Sequence, residues 1–531
     1  MAVADGDGDR YHIYIVVKLL LSVFLTAPAG ASDFEASLSP EAFREKAAAI
    51  ELPEARAYAS TGGCALQEEL RKAYNDYRMS LMHKGPLNGG TRALGRAYEE
   101  IRERFANSDE GCGEPGPAWL YEELREGKSR ALLGGFWSKL RAAYEKTFIP
   151  GRDDVALNFV ETGSNRLTAM AGREEFWPAL VADIQAAESS VSVHIFGFQA
   201  DEWGWEFAML LGHKARQGVK VHVLADRGGA RMTALHKHAS AELFKYFDQV
   251  GVKYAFYDAS LNPFSGDKFL HFDHRKYFII DGKVSYTTGY TLEKHMRREM
   301  FDLAVRAEGP VVGQMQASFF MNYFANGGSA DEGDFGGFSR RYFPEQRAAG
   351  GMKAVVAQNV PWRQHRVTES YISRISGARR SVHLINPYFT DDGIVKALMK
   401  AAANGAEVKV VLPLRPENGL NSRNSMYHAW QLKKKGVKVF LYEGPEKFGR
   451  LHGKGILVDD SFVSIGSCNM DAMALYHNFE QNIESEDAAF AAQAKADVFE
   501  RAVMESVPYE PKNPVTTWIN GIVTEPFDFI D

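Results

Sequence analysis

A histidine, a lysine and an aspartate recur twice in this chain with one spacing, His-x-Lys-x4-Asp. The two copies, whose histidines lie 178 residues apart, consist of His274, Lys276 and Asp281 and of His452, Lys454 and Asp459. An apolar stretch typical of a β-strand follows each lysine, at residues 277–280 and 455–458. Alternation along an extended chain places each histidine and its lysine on one face, where both can reach a single bound anion.

This combination of side chains suits attack on a phosphate ester. A positioned imidazole can act as a nucleophile or move a proton, and an ammonium group beside it neutralises the charge that develops during attack. One such motif alone is more often a strand with a surface lysine and a hydrogen-bonded histidine. Two copies in matching surroundings favour the chemical interpretation, in which the two halves of the chain supply a nucleophile and a general acid to one site.

The chain resembles the phospholipase D superfamily, whose hallmark is this duplicated motif. The C-terminal copy continues as GSCNMD at 466–471 and NFE at 478–480, which is similar to the GSxNxD…NxE sequence of cardiolipin synthases. The N-terminal copy continues as TTGYT at 287–291, then Asp302 and EGPVV at 308–312. The flanks of both motifs therefore point to the cardiolipin synthase branch and to related phosphatidyltransferases.

The resemblance covers about residues 176–486 and has three departures. Thr288 stands where these proteins usually have glycine, and Thr291 stands where the first half commonly has asparagine. A threonine hydroxyl can still donate to a phosphate oxygen, so Thr291 can keep that role. Met473-Ala474 replaces the usual Arg-Ser pair, which weakens the case for cardiolipin synthesis without touching the core chemistry.

The resemblance implies covalent catalysis through a phosphohistidine. His274 is expected to be the nucleophile and His452 the general acid and base, although the residues alone do not order them. The groups expected to hold the phosphate oxygens are Lys276, Lys454, Ser467, Asn469 and Thr291. No metal or other cofactor is expected, because the lysines supply the positive charge.

The four acidic residues of the expected catalytic set have different expected roles. Asp302 and Glu480 should hydrogen-bond the histidines from behind and fix their tautomer. Asp281 and Asp459 belong to the motif, but we expect them to tie down the loops after each strand.

The function implied is that of a phospholipase D-type phosphodiesterase or phosphatidyltransferase acting on phospholipids at a membrane surface, similar to cardiolipin synthase. Water or an alcohol as acceptor would decide between hydrolysis and transfer. The alternative is an exported nuclease or phosphodiesterase of the same superfamily. A net charge of −6 and the presence of both motifs in one chain argue against nucleic acid and make an oligomer unnecessary. Intact motifs in both copies argue against a purely binding role.

The 531 residues, 45% of them hydrophobic, allow two or three domains with substantial cores. We expect a helical accessory region at 32–150, a first phospholipase D-like half at 151–335 and a second at 336–531, with the connector at 326–338. The repeated order of strands and helices predicts an α/β fold with mostly parallel sheets covered on both faces.

The N-terminus predicts export. An apolar run at 19–25, preceded by Lys18 and followed by Ala-Gly-Ala at 29–31, has the form of a signal peptide spanning 1–31. The acidic residues before Val17 do not suit a signal peptide, and a translation start near Val17 would explain them. An uncleaved anchor is the alternative. We therefore expect a periplasmic or secreted protein, peripheral to the membrane.

The three cysteines agree with export. Cys64 and Cys112 lie together in the N-terminal region, and a bridge between them would stabilise the protein by about 4 kcal/mol. Cys468 lies within the second motif and is expected to be a small buried residue.

Overall fold

The structure is a computed structural model that describes residues 159–231, 237–258, 271–329, 341–361, 364–416 and 419–511. These residues form two α/β repeats, as the sequence predicts. The expected signal peptide, the helical region at 32–150 and the Cys64–Cys112 bridge lie outside the described residues, as does part of the connector expected at 326–338.

The first repeat alternates strands with helices before it reaches the first motif. Its strands are β1 (Thr162–Ala171), β2 (Ser190–Ile195), β3 (Lys220–Asp226), β4 (Lys253–Tyr257), β5 (Tyr277–Ile280), β6 (Val284–Thr288) and β7 (Leu303–Glu308). Its helices are α1 (Arg173–Ala186), α2 (Glu202–Arg216), α3 (Arg227–Arg231), α4 (Lys237–Val250), α5 (Lys294–Arg298) and α6 (Pro310–Ala325).

The second repeat follows the same order. Its strands are β8 (Met352–Val360), β9 (Gln364–His365), β10 (Ser381–Ile385), β11 (Glu407–Pro413), β12 (Lys438–Tyr442), β13 (Gly455–Val458), β14 (Phe462–Gly466), β15 (Glu480–Ser485) and β16 (Ser506–Pro508). Its helices are α7 (Arg366–Gly377), α8 (Asp392–Ala403), α9 (Gly419–Lys434), α10 (Ala472–Tyr476) and α11 (Ala488–Ala494), and a π-helical turn (Lys495–Glu500) joins α11 to α12 (Arg501–Met504).

The strands of both repeats join into one mixed sheet. Its order is β16-β12-β11-β10-β13-β14-β15-β8-β1-β7-β6-β5-β2-β3-β4, with β9 paired to β8. Only the β2-β3-β4 and β10-β11-β12 sets run parallel, and the other pairs within the described residues are antiparallel. This corrects the expected mostly parallel sheet. The short turns after β5 and β13 reverse the chain into hairpins, which have no helical crossover and so must be antiparallel.

Three large apolar cores and one small cluster of described residues pack against the sheet. One core lies in the first repeat and includes Phe176 and Phe278, and another lies in the second and includes Leu398 and Ile456. The third contains residues of both repeats, such as Leu303 beside Ile385 and Leu457. Both faces of β2 and β10 are buried, and apart from one buried histidine in each (His194 and His383) these strands consist of serine, valine, leucine and isoleucine. The shared core makes the two repeats one packed unit rather than two separate domains.

Two aspartates set the starts of the helices that follow β2 and β10. Asp201 accepts a hydrogen bond from the Gly204 backbone nitrogen at 3.0 Å, and Asp391 accepts one from the Ile394 nitrogen at 3.0 Å. Within the described residues, none of the helices is long and apolar enough to cross a bilayer.

Candidate active site

The two motifs meet because each pairs with the opposite repeat. His274 and Lys276 lie just before β5, and the Asp273 backbone forms a parallel bridge with Phe479, which precedes β15. The His274 nitrogen donates to the Phe479 carbonyl oxygen at 3.0 Å. Peptide groups that pair in this way fix the separation of the two segments, so the first histidine is held against the second repeat.

The second motif repeats this arrangement in the reverse direction. Leu451 forms a parallel bridge with Phe301, and the His452 nitrogen donates to the Phe301 carbonyl oxygen at 2.8 Å. Phe301 precedes β7 of the first repeat. Main-chain hydrogen bonds therefore hold each histidine against a segment of the other repeat.

A buried carboxylate of the opposite repeat orients each histidine. His274 Nδ1 lies 2.8 Å from Glu480 Oε1, and His452 Nδ1 lies 2.7 Å from Asp302 Oδ2. Both carboxylate side chains are fully buried. Because a carboxylate accepts the Nδ1 proton, the lone pair of each imidazole is directed to Nε2, the atom available for attack or proton transfer. The structure thus places Asp302 and Glu480 behind the histidines, with partners exchanged between repeats.

The two lysines are also fully buried beside the histidines. Lys276 Nζ donates to the His274 carbonyl oxygen at 2.7 Å. Lys454 Nζ donates to the His452 carbonyl oxygen and lies 2.7 Å from Nδ1 and 3.0 Å from Nε2 of His452. Burial holds the pKa of Lys276 well below its usual value, and the positive charge of Lys454 acts in the same direction. An anionic phosphate between the two ammonium groups would relieve that cost.

The electrostatic surroundings hold His274 in its neutral form. Burial lowers its pKa well below the usual value of 6.5, and Lys276, Lys454 and His452 lower it further through their charges. A neutral imidazole has the lone pair that a nucleophile needs. The same interactions show that both motifs lie within one electrostatic neighbourhood.

The two carboxylates are supported in different ways. Burial raises the pKa of Glu480 well above its usual value, while the charge of Lys276 and a hydrogen bond from the Ser467 hydroxyl oppose this shift. Asp302 Oδ1 accepts instead from the Leu303 nitrogen at 2.7 Å. Gly289 faces Asp302, and a Cβ at this glycine would lie only 2.4 Å from Asp302 Oδ1. The Asp302 carboxylate thus occupies space that is open because residue 289 is a glycine.

Three further residues were predicted to hold the phosphate. Ser467 is fully buried, and its hydroxyl donates to Glu480, so the structure places it behind His274. Asn469 and Thr291 are both 6% exposed and precede Met470 and Leu292, which form matching parallel bridges in the two repeats. Within the described residues Asn469 Oδ1 has no hydrogen-bond partner. The two side chains therefore occupy equivalent positions in the two repeats.

Asp281 and Asp459 lie at the turns after β5 and β13, away from the histidines. Asp281 accepts hydrogen bonds from the backbone nitrogens of 188–190, and Asp459 accepts them from those of 379–381. Both have positive φ angles, of 53° and 51°. Each carboxylate ties the turn to the entrance of the neighbouring strand, and this contact lowers the pKa of both groups against the effect of burial.

Sequence reasoning missed the aromatic residues beside the histidines. The Phe196 ring centroid lies 4.7 Å from that of His274, edge to face, and the Tyr388 centroid lies 6.4 Å from that of His452. Both follow the carboxyl ends of β2 and β10, where the sites of open α/β sheets gather. Their position after the ends of β2 and β10 was the feature of the sequence that could have identified them as site residues.

Comparison with known families agrees with this geometry. Residues 180–323 and 371–502, more than half of the chain, match the family described as cardiolipin synthase, PLD-like domain. The chain belongs to this family of the phospholipase D superfamily. Cardiolipin synthases of Listeria innocua and Staphylococcus aureus (strain Mu50) are each 29% identical to it, over 346 and 344 residues. These alignments cover 62% and 63% of this chain and 68% and 66% of those proteins.

A solved structure shares the phospholipase D fold. The phosphatidylserine synthase of Haemophilus influenzae Rd KW20 superposes with a TM-score of 0.54 at 13% identity, covering 70% of this chain and 96% of that protein. At this identity the likeness concerns the fold alone.

The departures from the phospholipase D family pattern have local explanations. Met473 and Ala474 are buried in α10, whose first turn is capped by Asp471, which accepts from the Ala474 nitrogen at 2.8 Å. Neither residue brings a charge to this end of the site. Thr288 donates its hydroxyl to the Leu303 carbonyl oxygen at 2.8 Å, so its side chain braces the strand that follows Asp302.

Proposed function

We propose that this protein is a phospholipase D-type phosphatidyltransferase that forms a phosphohistidine intermediate. The observation that carries the proposal is the reciprocal pairing of His274 with Glu480 and of His452 with Asp302, with a buried lysine beside each histidine. Two oriented imidazoles and two ammonium groups are what a phosphodiester exchange needs. Membership of the cardiolipin synthase family supports a phospholipid as substrate.

The first half-reaction transfers the phosphatidyl group to the enzyme. His274 Nε2 attacks phosphorus while the bond from phosphorus to the head-group oxygen breaks, and His452 gives its proton to the departing oxygen. Glu480 holds the proton on His274 Nδ1 and stabilises the positive charge that attack places on the ring. Lys276 and Lys454 neutralise the phosphate oxygens.

The second half-reaction restores the enzyme. His452, now neutral, accepts the proton of the incoming hydroxyl, whose oxygen attacks phosphorus as the bond from His274 to phosphorus breaks. Asp302 stabilises the imidazolium that forms. Since His452 gives up one proton in the first half-reaction and regains one in the second, the free enzyme is returned in its starting state.

We further propose that the acceptor is a primary alcohol, in competition with water. The relatives named cardiolipin synthases support an alcohol carried by a second glycerolipid. Met473 and Ala474 carry no charge, whereas the resemblance leads us to expect an Arg-Ser pair at these positions. We propose that this difference distinguishes the acceptor pocket from that of a dedicated cardiolipin synthase.

The test uses the purified protein with phosphatidylglycerol or phosphatidylethanolamine, with and without glycerol and a chelator, and reads the products by mass spectrometry. We expect head-group release, transfer to glycerol in competition with water, and no effect of the chelator, because the lysines supply the positive charge. His274→Ala and His452→Ala serve as controls with strongly reduced turnover. An absence of lipid turnover together with rapid cleavage of labelled DNA would replace this proposal with a nuclease.

We also propose that the protein is exported and acts at the membrane surface. The segment at 1–31 supports export by its form, and a phospholipid substrate requires access to a membrane. N-terminal sequencing of mature protein should begin at Ser32, and thiol labelling should find Cys64 and Cys112 oxidised. An intact residue 1–31 segment would contradict cleavage, and free thiols at both cysteines would contradict the bridge.

A further inference from the structure

A buried ion pair brackets His274. Arg275 Nε lies 2.7 Å from Asp273 Oδ1 and Arg275 Nη2 lies 2.5 Å from Asp273 Oδ2, and both side chains are 1% exposed. Removing two charges from water costs hydration free energy that their mutual attraction only partly offsets. Such a pair is weak evidence for stability, so a role in positioning the proposed nucleophile is the better explanation of its presence on both sides of His274.

The pair belongs to a larger buried polar cluster. The Asp273 nitrogen donates to Asp226 Oδ2 at 2.7 Å, and His194 Nε2 lies 3.0 Å from Asp273 Oδ2. Arg275 Nη2 also donates to Asn322 Oδ1 at 2.9 Å, which anchors it to α6. The bracket around His274 is thus fixed to β3, β2 and α6 of its own repeat.

The cluster also reaches the carboxylate partner of His274. The guanidinium carbon of Arg275 lies 5.0 Å from the Phe479 ring centroid, within cation–π distance. Phe479 precedes Glu480 and forms the parallel bridge with Asp273. Asp273 and Arg275 therefore contact both segments that hold the His274–Glu480 pair.

The second repeat builds the equivalent junction without charge. Leu451 and Gly453 flank His452 where Asp273 and Arg275 flank His274. A Cβ at Gly453 would lie 2.7 Å from Leu303 Cγ, so the space of an arginine is taken by the residue that follows Asp302. The neighbouring strand pairs show the same replacement of polar by apolar residues. His194 pairs with Tyr277 in the first repeat, and Ile385 pairs with Gly455 at the equivalent position of the second.

We propose that Asp273 and Arg275 are positioning residues that set the orientation of His274 against Glu480 for attack on phosphorus. The inference rests on the proposed function, since it assumes that His274 is the nucleophile. The pair does not touch substrate. It acts through the backbone on both sides of the imidazole and through Phe479, and misplacement of a reacting group by about 1 Å costs roughly 10²-fold in rate.

The experiment compares the native chain with the double variant Asp273→Asn/Arg275→Met, which removes both charges together and so leaves no unpaired buried ion. We expect thermal melting close to that of the native chain, kcat on a phospholipid lower by about 10- to 100-fold, and KM within about 3-fold. Phosphohistidine formation in a single turnover should slow by the same factor as kcat. A purely structural pair would not produce this separation of kcat from KM.

The matched control is Asp183→Asn/Arg306→Met, which removes a partly buried ion pair of the same repeat, with 2.9 Å between Arg306 Nε and Asp183 Oδ2. Its kcat should equal that of the native chain. If the Asp273 and Arg275 double variant fails to fold, Arg275→Lys decides, because it keeps the charge and loses the two-pronged geometry, and its kcat should fall about 5-fold at unchanged KM.

Native turnover of phospholipid is measured first, so that failure of the proposed function is seen separately as an inactive native chain. Given an active native chain, a folded double variant with at least half of the native kcat overturns the positioning role. For Arg275→Lys, a kcat equal to that of the native chain overturns the positioning role. A fall in kcat no larger than that of the control pair overturns it as well.

Discussion

The junction that holds His274 and the junction that holds His452 share their backbone contacts and differ in their side chains. In both, the motif pairs in parallel with the segment before the partner carboxylate. Ions bracket His274, whereas Gly453 and Leu303 close the junction of His452 by contact. Main-chain hydrogen bonding is therefore common to the two junctions, while the side chains around the histidines differ, in keeping with the proposal that the two histidines serve different steps.

The largest difference should appear when each histidine is removed. His274→Ala should lose at least about 10⁴-fold in kcat and His452→Ala about 10²- to 10⁴-fold on a phospholipid, the range expected for a nucleophile and a general acid. With a phosphodiester whose leaving group is nitrophenol, the acid is not needed for the first step. His452→Ala should then release one equivalent of nitrophenol per enzyme, measured by rapid mixing.

His274→Ala should give no such burst, and the melting temperature of both variants should stay near that of the native chain. A burst from His274→Ala alone would exchange the roles assigned to the two histidines.

The carboxylates should show the next largest effect. Glu480→Gln and Asp302→Asn should each lower kcat by roughly 10²-fold, since a hydrogen bond to a charged group contributes about 1.5–3 kcal/mol. Ser467→Ala removes a donor from Glu480 alone and should lower kcat about 10-fold. Steady-state kinetics of the double variants should show coupling of Ser467 with Glu480 and additivity of Ser467 with Asp302. Equal coupling to both carboxylates would remove the distinction between the junctions.

A smaller effect should follow from filling the space beside Asp302. Gly289→Ala places a methyl group against that carboxylate, so it should lower kcat about 10-fold and stability by about 1–3 kcal/mol, as overpacking does. Gly163→Ala is the control, because a Cβ there meets nothing within 4 Å. Denaturant unfolding and kinetics measure both changes. Native behaviour of Gly289→Ala would show that Asp302 can move freely.

The smallest effect on activity should come from the turn aspartates. Asp281→Ala and Asp459→Ala each remove acceptors from backbone N–H groups and should lower stability by about 1–2 kcal/mol, with the more exposed Asp459 at the low end. Since the folded pKa of both groups lies below the unfolded value of 3.8, this stabilisation is complete above that value and is lost as the pH falls through the folded pKa. Denaturant unfolding at pH 7 should therefore separate the variants from the native chain, and unfolding at pH 2 should separate them less.

Much of the fold and the centre of the site could be predicted from local patterns. The strands expected at 277–280 and 455–458 are those of the structure, because apolar runs before tight turns specify hairpin strands directly. The spacing of the motifs also located the two histidines and lysines. The antiparallel pairs of the sheet were not predicted. The repeated order of strands and helices suggested mostly parallel pairing, whereas the chain forms antiparallel hairpins directly after each motif.

The exchange of partners could not be read from the sequence. Glu480 lies 206 residues from His274, and Asp302 lies 150 residues from His452. Only tertiary packing decides which carboxylate faces which imidazole. The contact of Ser467 was not predicted for a related reason: its hydroxyl donates to Glu480, and only tertiary packing brings these two side chains together.

The reciprocal crossing has a consequence for the order in which the protein becomes active during its synthesis. His274 leaves the ribosome 206 residues before the carboxylate that orients it, a delay of about 10–40 s at 5–20 residues per second. Over that interval the nascent chain carries the first motif without the carboxylate that orients its histidine. The site can therefore be completed only late in synthesis, after Glu480 has left the ribosome and the two repeats have packed together.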